Sequence, residues 1–419
     1  MNTPRAEPAP EPADARIEAG TAEFRRANLA LFVGGFATFS LLYATQPILP
    51  RLATEFAVAP SVASLSVSAG TAALAAMLIP ASVLSDRYGR QRIMKGALVV
   101  AALVALAAAF VGDFGQLLVL RVLLGAVLAG LPAAAMAYLG EEVAPAAQGR
   151  AMGLYIAGNA LGGMSGRFLV AWLTDLSSWR IALFVLGAIG VLAAVVFWRF
   201  LPRSRHFSVR TIRVARVLDD VRVLLADPGL SRLFAIAFLM MGVFTSVYNY
   251  LGFRLHEPPF SLGQTAIGAV FLLYLVGTWS SAWTGRLVDR IGRRQLLWAM
   301  ILTTLAGLAL TLSPALALVV AGVAIFTFGY FGAHTAASGW VGRRSQERRA
   351  LGAALYLCSY YLGASVIGTL SGFAWERGGW PGVVAALALC ASLALVAARH
   401  LRRLPPAIAP AAVPTSPAH

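Results

Sequence analysis

Arg121, Arg167 and His334 are ionisable residues that fall well inside long apolar runs of this sequence. A charged group at the centre of a bilayer costs on the order of 3 kcal/mol on insertion scales, so each arginine must face a protein interior or reach for the surface. Both arginines lie about six residues from the nearer end of their run, roughly 9 Å deep at the helical rise. A guanidinium in such a place can hold a carboxylate or phosphate through two parallel hydrogen bonds; Arg167 could equally be a structural partner for Asp113 or Asp175. His334, in FGAHTAASGW, titrates near neutrality and can carry a proton, although a packed, hydrogen-bonded histidine is the simpler reading. Around them Tyr43, Gln46, Asn159, Tyr248, Asn249, Tyr356 and Tyr360 could line a cavity with aromatic faces and hydrogen-bonding tips. None of the 18 acidic residues falls in the middle third of an apolar run. The buried carboxylate that would trade a proton for a cation is therefore missing, and two buried arginines suit an anion better.

A second kind of chemistry sits at the ends of the runs. Residues 85–92 read SDRYGRQR and residues 288–295 read VDRIGRRQ. Each turn carries one acid among arginines: Asp86 with Arg87, Gly89 and Arg90, and Asp289 with Arg290, Gly292 and Arg293. Glycine permits the tight turn, and Arg90 has Glu141 or Glu142 as candidate partners. Arginines that merely fixed topology would explain neither the paired aspartates nor the repeated spacing.

The elements that must position these residues are membrane helices. Of 419 residues, 59% are hydrophobic and 12% charged, about half the charge of an ordinary soluble domain, too little to cover a soluble fold of this size. Apolar runs of about 20 residues recur near 27–50, 61–84, 93–112, 115–140, 148–173 and 179–200, and again near 231–252, 264–287, 294–312, 315–340, 349–373 and 379–399. The fold class is an all-α polytopic membrane protein of twelve transmembrane helices in two six-helix bundles. The domain plan is a disordered tail at 1–26, an N-terminal bundle at 27–200, a linker with an amphipathic surface helix at 201–230, a C-terminal bundle at 231–400 and a disordered tail at 401–419. Of the 34 Lys and Arg residues, 28 fall in the tails, the linker and the loops on one side, which places both termini in the cytoplasm. The net charge of +16 then reads as arginines facing anionic lipid, not nucleic acid. Cys358 and Cys390 lie in apolar runs as packing residues.

The two halves repeat. Asp86 and Asp289 are 203 residues apart, Trp179 and Trp380 are 201 apart, and the pair Gly158/Gly163 recurs as Gly363/Gly368. Duplicated bundles of this kind place a site at their interface near the middle of the membrane.

SVLSDRYGR and GRLVDRIGR resemble the loop motif between helices two and three of the major facilitator superfamily, and its presence in both halves is specific. RVLLG at 121–125 resembles the superfamily's arginine-plus-glycine motif, and GNALGG, with Gly158, Gly162 and Gly163, resembles the helix-five motif of its proton antiporters. YATQPILP, GGMSGR and YYLGASVIG are similar to the YnfM-type, arabinose-efflux-like branch of bacterial inner-membrane permeases, grouped with drug–proton antiporters. Ser82 replaces the loop motif's glycine and Asn159 the antiporter motif's proline. The resemblance covers residues 27–400. It implies a secondary active carrier in the bacterial inner membrane, working by alternating access as a monomer, without cofactor or metal, moving a small organic molecule outward against protons. The alternative is a carrier of anionic metabolites that uses the buried arginines. The resemblance also implies a cytoplasmic latch, with Asp86 facing the start of helix eleven near Ala350 and Asp289 facing helix five near Gly149 and Arg150. A membrane-embedded enzyme finds no nucleophile–base pair here, and ATP-driven transport finds no phosphate loop, Lys95 being the sole lysine.

Overall fold

The computed structural model describes residues 16–207 and 214–401. In chain order its helices are α1 (Ala22–Leu42), α2 (Leu49–Glu55), α3 (Pro60–Tyr88), α4 (Arg90–Ala107), α5 (Phe114–Leu128), α6 (Gly130–Glu142), α7 (Pro145–Leu176), α8 (Trp179–Phe200), α9 (Val214–Ala226), α10 (Pro228–His256), α11 (Gln264–Ala269), α12 (Tyr274–Ile291), α13 (Arg293–Leu310), α14 (Leu316–Arg344) and α15 (Arg349–Leu401). Their starts follow local chemistry. Thr21, Asp113, Ser178 and Asp227 each accept a first-turn N–H at an N-cap. Pro60, Pro145 and Pro228 occupy first helical positions, where no hydrogen bond is lost. Gly89 and Gly292, at φ +100° and +82°, make the two charged turns between α3 and α4 and between α12 and α13.

Among the described residues, nine helical segments are long and apolar enough to cross a membrane. Helices α7 and α13 fall outside that set because arginines and polar residues dilute them, and α15 breaks at Gly379, whose φ of 56° and ψ of −149° are non-helical. With that break and those two helices the architecture agrees with twelve passes. The chain departs from the sequence reading at two places. The first apolar segment unwinds after Leu42 and resumes through a 3-10 turn, Gln46–Ile48, into α2. The tail expected as disordered to residue 26 is ordered from Arg16: Ile17 is buried, bridges to Val143 and donates its N–H to the Glu142 carbonyl at 2.8 Å. An apolar residue beside an unpaired loop strand is enough to hold it. Residues 1–15 and 402–419, read as disordered, lie outside the described residues. The amphipathic linker helix is α9, with Leu224 buried and Asp220 paired with Arg348 at 2.6 Å.

Helices α1 to α8 pack mainly on one another, as do α10 to α15, and the two groups meet along α3 with α15 and α7 with α11. Their contacts are polarised. At the end away from the charged turns, Thr265 Oγ1 donates to Asp175 at 2.6 Å, Gln264 Nε2 to the Pro47 carbonyl, and Ser61 N–H to Glu376 at 3.2 Å. Near the middle, Ser365 Oγ donates to the Ser68 carbonyl at 2.8 Å and Cys358 Sγ to that of Ala75 at 3.3 Å. At the arginine-rich end Gly149, Arg150 and Ala350 are exposed, and a Cβ on Gly149, Gly153 or Gly292 would meet nothing within 4 Å. Among the described residues the hydrogen bonds between α3 and α15 end at Ala75, thirteen residues before Tyr88, or roughly 20 Å of helix. The molecule is closed at one end and open at the other.

Candidate functional site

The unwinding after Leu42 leaves backbone carbonyls without helical partners, an expensive state away from water. Arg121 on α5 answers them. Its Nη1 donates to the Leu41 carbonyl at 3.0 Å, Nη2 to that of Leu42, and Nε to that of Ser66 on α3 at 2.6 Å. The side chain is 2% exposed, and Gly70 and Gly125 let α3 and α5 close around it. Arg121 thus splints the broken helix, and its donors face carbonyls.

Arg167 on α7 sits differently. Its Nε donates to Gln46 Oε1 at 2.6 Å and its Nη1 to the Gly163 carbonyl. The guanidinium lies 4.0 Å from the Tyr43 ring, 5.1 Å from Tyr274 and 5.5 Å from Phe271. An aromatic box of this kind favours a cation electrostatically. Neither Asp113 nor Asp175, its candidate partners, reaches it: Asp113 caps α5 through Gln116 N–H at 2.8 Å, and Asp175 binds Thr265. Gln46 Nε2 continues to Asn249 Oδ1 on α10 at 2.8 Å, crossing from one half to the other.

The polarity of this chain is fixed by chemistry. Arginine only donates, so Gln46 must present its oxygen to Arg167 and its amide nitrogen to Asn249. Asn249 must then present its oxygen to Gln46, which leaves Asn249 Nδ2 as a buried donor with no partner. It points toward Gly368 on α15, beside Thr245 and Ser68, whose hydroxyls are also buried and unpartnered. Unsatisfied buried groups cost about 1–3 kcal/mol each, so three together mark a place built to receive oxygen or nitrogen atoms.

From Arg167 an aromatic lane runs to His334. Tyr274 lies 5.0 Å from Tyr248, Tyr248 5.0 Å from Phe244, and Phe244 3.9 Å from Tyr330 in a stack. His334 follows, stacked 6.3 Å from Tyr330 and tilted against Tyr360 at 5.0 Å, with its Nδ1 hydrogen-bonded to Tyr356 at 3.0 Å. Tyr248 is held by Thr327 at 2.8 Å. A cavity of about 10 Å³ beside His334 has room for one water at most. The sequence reading chose Tyr43, Gln46, Tyr248, Asn249, Tyr356 and Tyr360, and the structure places all six on this network. It missed Phe244, Phe271, Tyr274, Tyr330, Thr245 and Ser68. The four-residue spacing of Phe244 with Tyr248 and of Tyr330 with His334 is a signal that could have found two of them. Asn159 lies elsewhere, against Gly35 and Tyr155 on the α1 face of α7.

Gly158, Gly162 and Gly166 let α1 approach α7 so closely that any Cβ would strike Phe32, Phe36 or Ser40, while Gly163 faces Arg167. At the arginine-rich end Arg90 pairs with Asp86 and, at 3.0 Å, with Glu141. Glu142, the other candidate, instead accepts the backbone N–H groups of Arg205 and His206 at 2.9–3.1 Å. Asp289 and Arg290 are exposed.

The family model of the Major Facilitator Superfamily matches residues 31–331 and 258–418. The chain is 42% identical to the inner membrane transport protein YnfM of Escherichia coli (strain K12), over 92% of its own length and 93% of that protein's. It is 41% identical to the MFS-type transporter YybF of Bacillus subtilis (strain 168), over 92% and 96%. Among solved structures it resembles nucleoside transporter NupG, with a TM-score of 0.74 at 14% identity over 90% and 99% of the two chains. It also resembles a bacterial homologue of the human lysosomal transporter Spinster in an inward-facing, occupied conformation, with a TM-score of 0.73 at 17% identity over 91% and 95%.

Proposed function

We propose that this chain, which belongs to the major facilitator superfamily, is a secondary active carrier in the bacterial inner membrane that moves small organic anions by alternating access. The observation that carries the substrate class is the hydrogen-bond chain Arg167–Gln46–Asn249, which leaves the Asn249 amide as a buried donor next to a guanidinium. Donors and one positive charge, lined by tyrosine and phenylalanine rings, suit a carboxylate or phosphate on an apolar body. Both termini face the cytoplasm, and the open, arginine-rich end is the cytoplasmic mouth. An anion entering there would compete for Asn249 and Arg167, loosening the Gln46 link that ties the halves together at the far side. Alternating access needs exactly such differential binding between two states.

Closure of the mouth falls to the charged turns. Asp86 would leave Arg90 for the exposed start of α15 near Ala350, and Asp289 would meet α7 near Gly149 and Arg150. A carboxylate at a helix N-terminus gains about 0.3–1 kcal/mol. The close α1–α7 seam at Gly158, Gly162 and Gly163 would keep the N-terminal half rigid as it rocks.

A second reading, outward transport of a small organic molecule in exchange for protons, rests on the His334–Tyr356 hydrogen bond at 3.0 Å at the end of the aromatic lane. One experiment separates the two. Proteoliposomes holding the purified monomer would be offered anionic, neutral and cationic compounds, and everted vesicles with an acidic interior and a pH-quenched dye would report proton release. Saturable uptake confined to the anionic set, lost in Arg167→Gln, supports the anion carrier. Transport confined to the cationic set, unaltered in Arg167→Gln, would sink it, and substrate-driven dye recovery that disappears in His334→Gln would favour the proton exchanger.

A further inference from the structure

Asp175 and Glu376 stand four residues before Trp179 and Trp380, and like the tryptophans they are 201 residues apart. Both lie at the end of the molecule away from the charged turns, and each reaches into the other half. Asp175, in the last turn of α7, accepts from Thr265 Oγ1 at 2.6 Å and from the Thr265 N–H at 3.2 Å. Glu376, just before the break of α15 at Gly379, accepts from the Ser61 N–H at 3.2 Å. Ser61 and Thr265 are the second residues of α3 and α11 and lie 204 apart, so the two contacts are copies of one arrangement.

Both receiving helices begin without a cap of their own. Ala59 precedes α3 and Gly263 precedes α11, and neither supplies a side-chain hydrogen bond, whereas Thr21, Asp113, Ser178 and Asp227 cap α1, α5, α8 and α10. First-turn N–H groups need an acceptor, and here a carboxylate of the opposite half supplies it. Gly372 brings α15 so close to α3 that a Cβ there would lie 2.5 Å from Ser61.

The ownership of these acids is the reverse of that in the charged turns. Asp86 belongs to α3 and Asp289 to α12, whereas Glu376 belongs to α15 and Asp175 to α7. The seam of α3 with α15 thus has an acid of one half near its inner end and of the other half near its outer end, and so does the seam of α7 with α11 and α12. In this structure the outer acids are engaged across their seams, while Asp86 is held by Arg90 of its own half.

We propose that Asp175 and Glu376 form an outer latch, a duplicated pair of positioning residues that hold the carrier shut at the far side and let go when the halves part there. The inference rests on the alternating-access reading above. Both carboxylates are exposed, so each contributes what an acid at a helix start contributes near water, about two- to fivefold in the ratio of closed to open carriers. Two weak latches bias the closed state without locking it.

The test follows Ser64→Cys, at a fully buried position on α3 beside Tyr250 of the other half. A membrane-impermeant maleimide is added outside spheroplasts that express the full chain with Cys358 and Cys390 replaced by serine, and the rate of alkylation reads the fraction of carriers open on that side. Asp175→Ala and Glu376→Ala should each raise the rate about two- to fivefold, and together about tenfold. Two controls should not move. Ser40→Cys sits in the α1–α7 seam within one half, and Glu55→Ala/Glu257→Ala removes the same charge from exposed positions, Glu55 being bonded to Arg180 and Trp179 of its own half. Equal rates in wild type and the double variant (zero included), a matching rise in the control pair, or a matching rise at Ser40→Cys overturns the proposal. No substrate is needed, so the anion reading stands or falls separately. Labelling of Gly149→Cys by the same reagent would refute the cytoplasmic assignment alone, because the dependence of Ser64→Cys on the two acids still decides the latch. Should the alanine pair misfold, Asp175→Asn/Glu376→Gln, which keeps an accepting oxygen and loses the charge, carries the same expectation in direction.

Discussion

Arg121 and Arg167 are the same residue type in the same half, both almost fully buried at 2% and 3% exposure. Their surroundings differ in kind. Arg121 is enclosed by three carbonyl oxygens of helices in its own half, and its removal would take a donor from each of them. Arg167 has one side-chain partner, one carbonyl and an aromatic box completed by rings from the other half. A guanidinium bonded only to carbonyls within one rigid body has nothing to exchange. One that bridges two bodies through a glutamine can be released when they part.

Replacing Arg121 is the most damaging test of this contrast. Arg121→Ala should cost about 3–5 kcal/mol by stranding buried acceptors, seen as loss of monodisperse protein and a large drop in thermal midpoint. Arg121→Lys should rescue little, because an ammonium cannot fork to three carbonyls. A stable Arg121→Ala protein would remove the splint from the account. Arg167→Lys should divide the two roles. The fold should survive at a cost of about 1–2 kcal/mol, while anion transport by proteoliposomes falls on the order of a hundredfold. Equal losses in stability and transport would make Arg167 a second splint.

Asn249→Leu removes the orphan donor and the link to Gln46 together. It should lower anion affinity about tenfold with a midpoint within about 1 kcal/mol of wild type, since a lost unsatisfied donor offsets a lost hydrogen bond. A large destabilisation instead would mean that Nδ2 is already satisfied. The smallest effect belongs to Asp227, outside the membrane. Burial pushes its carboxyl up, but hydrogen bonds from Arg344 and from the N–H groups of Leu230 and Gly229 outweigh it and hold it below the ordinary range. A lowered folded-state value stabilises above the unfolded carboxyl pKa and is lost as pH falls through the folded one. The wild type should therefore lose a little stability in acid that Asp227→Asn has already lost at neutral pH. Parallel melting curves for the two proteins across that range would contradict it.

The partners that the sequence reading left open share a cause. Glu141 and Glu142 are adjacent and chemically alike, yet a helix points them apart, one to Arg90 and the other to the chain at Arg205 and His206. Asp113 and Asp175 were plausible partners for Arg167 by depth alone, but depth does not give azimuth around a helix. Asn159 shares α7 with Arg167 and faces α1 instead of the lane.

What the sequence determined is what depends on local composition and periodicity. Apolar run length selected membrane helices, arginine bias argues for an orientation, and the offsets between Asp86 and Asp289 and between Trp179 and Trp380 point to a duplication. Each follows from chemistry read along the chain. Tertiary structure decided which arginine is a splint and which amide is left without a partner. Those outcomes turn on where helices distant in sequence set their carbonyls and rings, and on the rule that a buried donor must find an acceptor wherever the fold puts one.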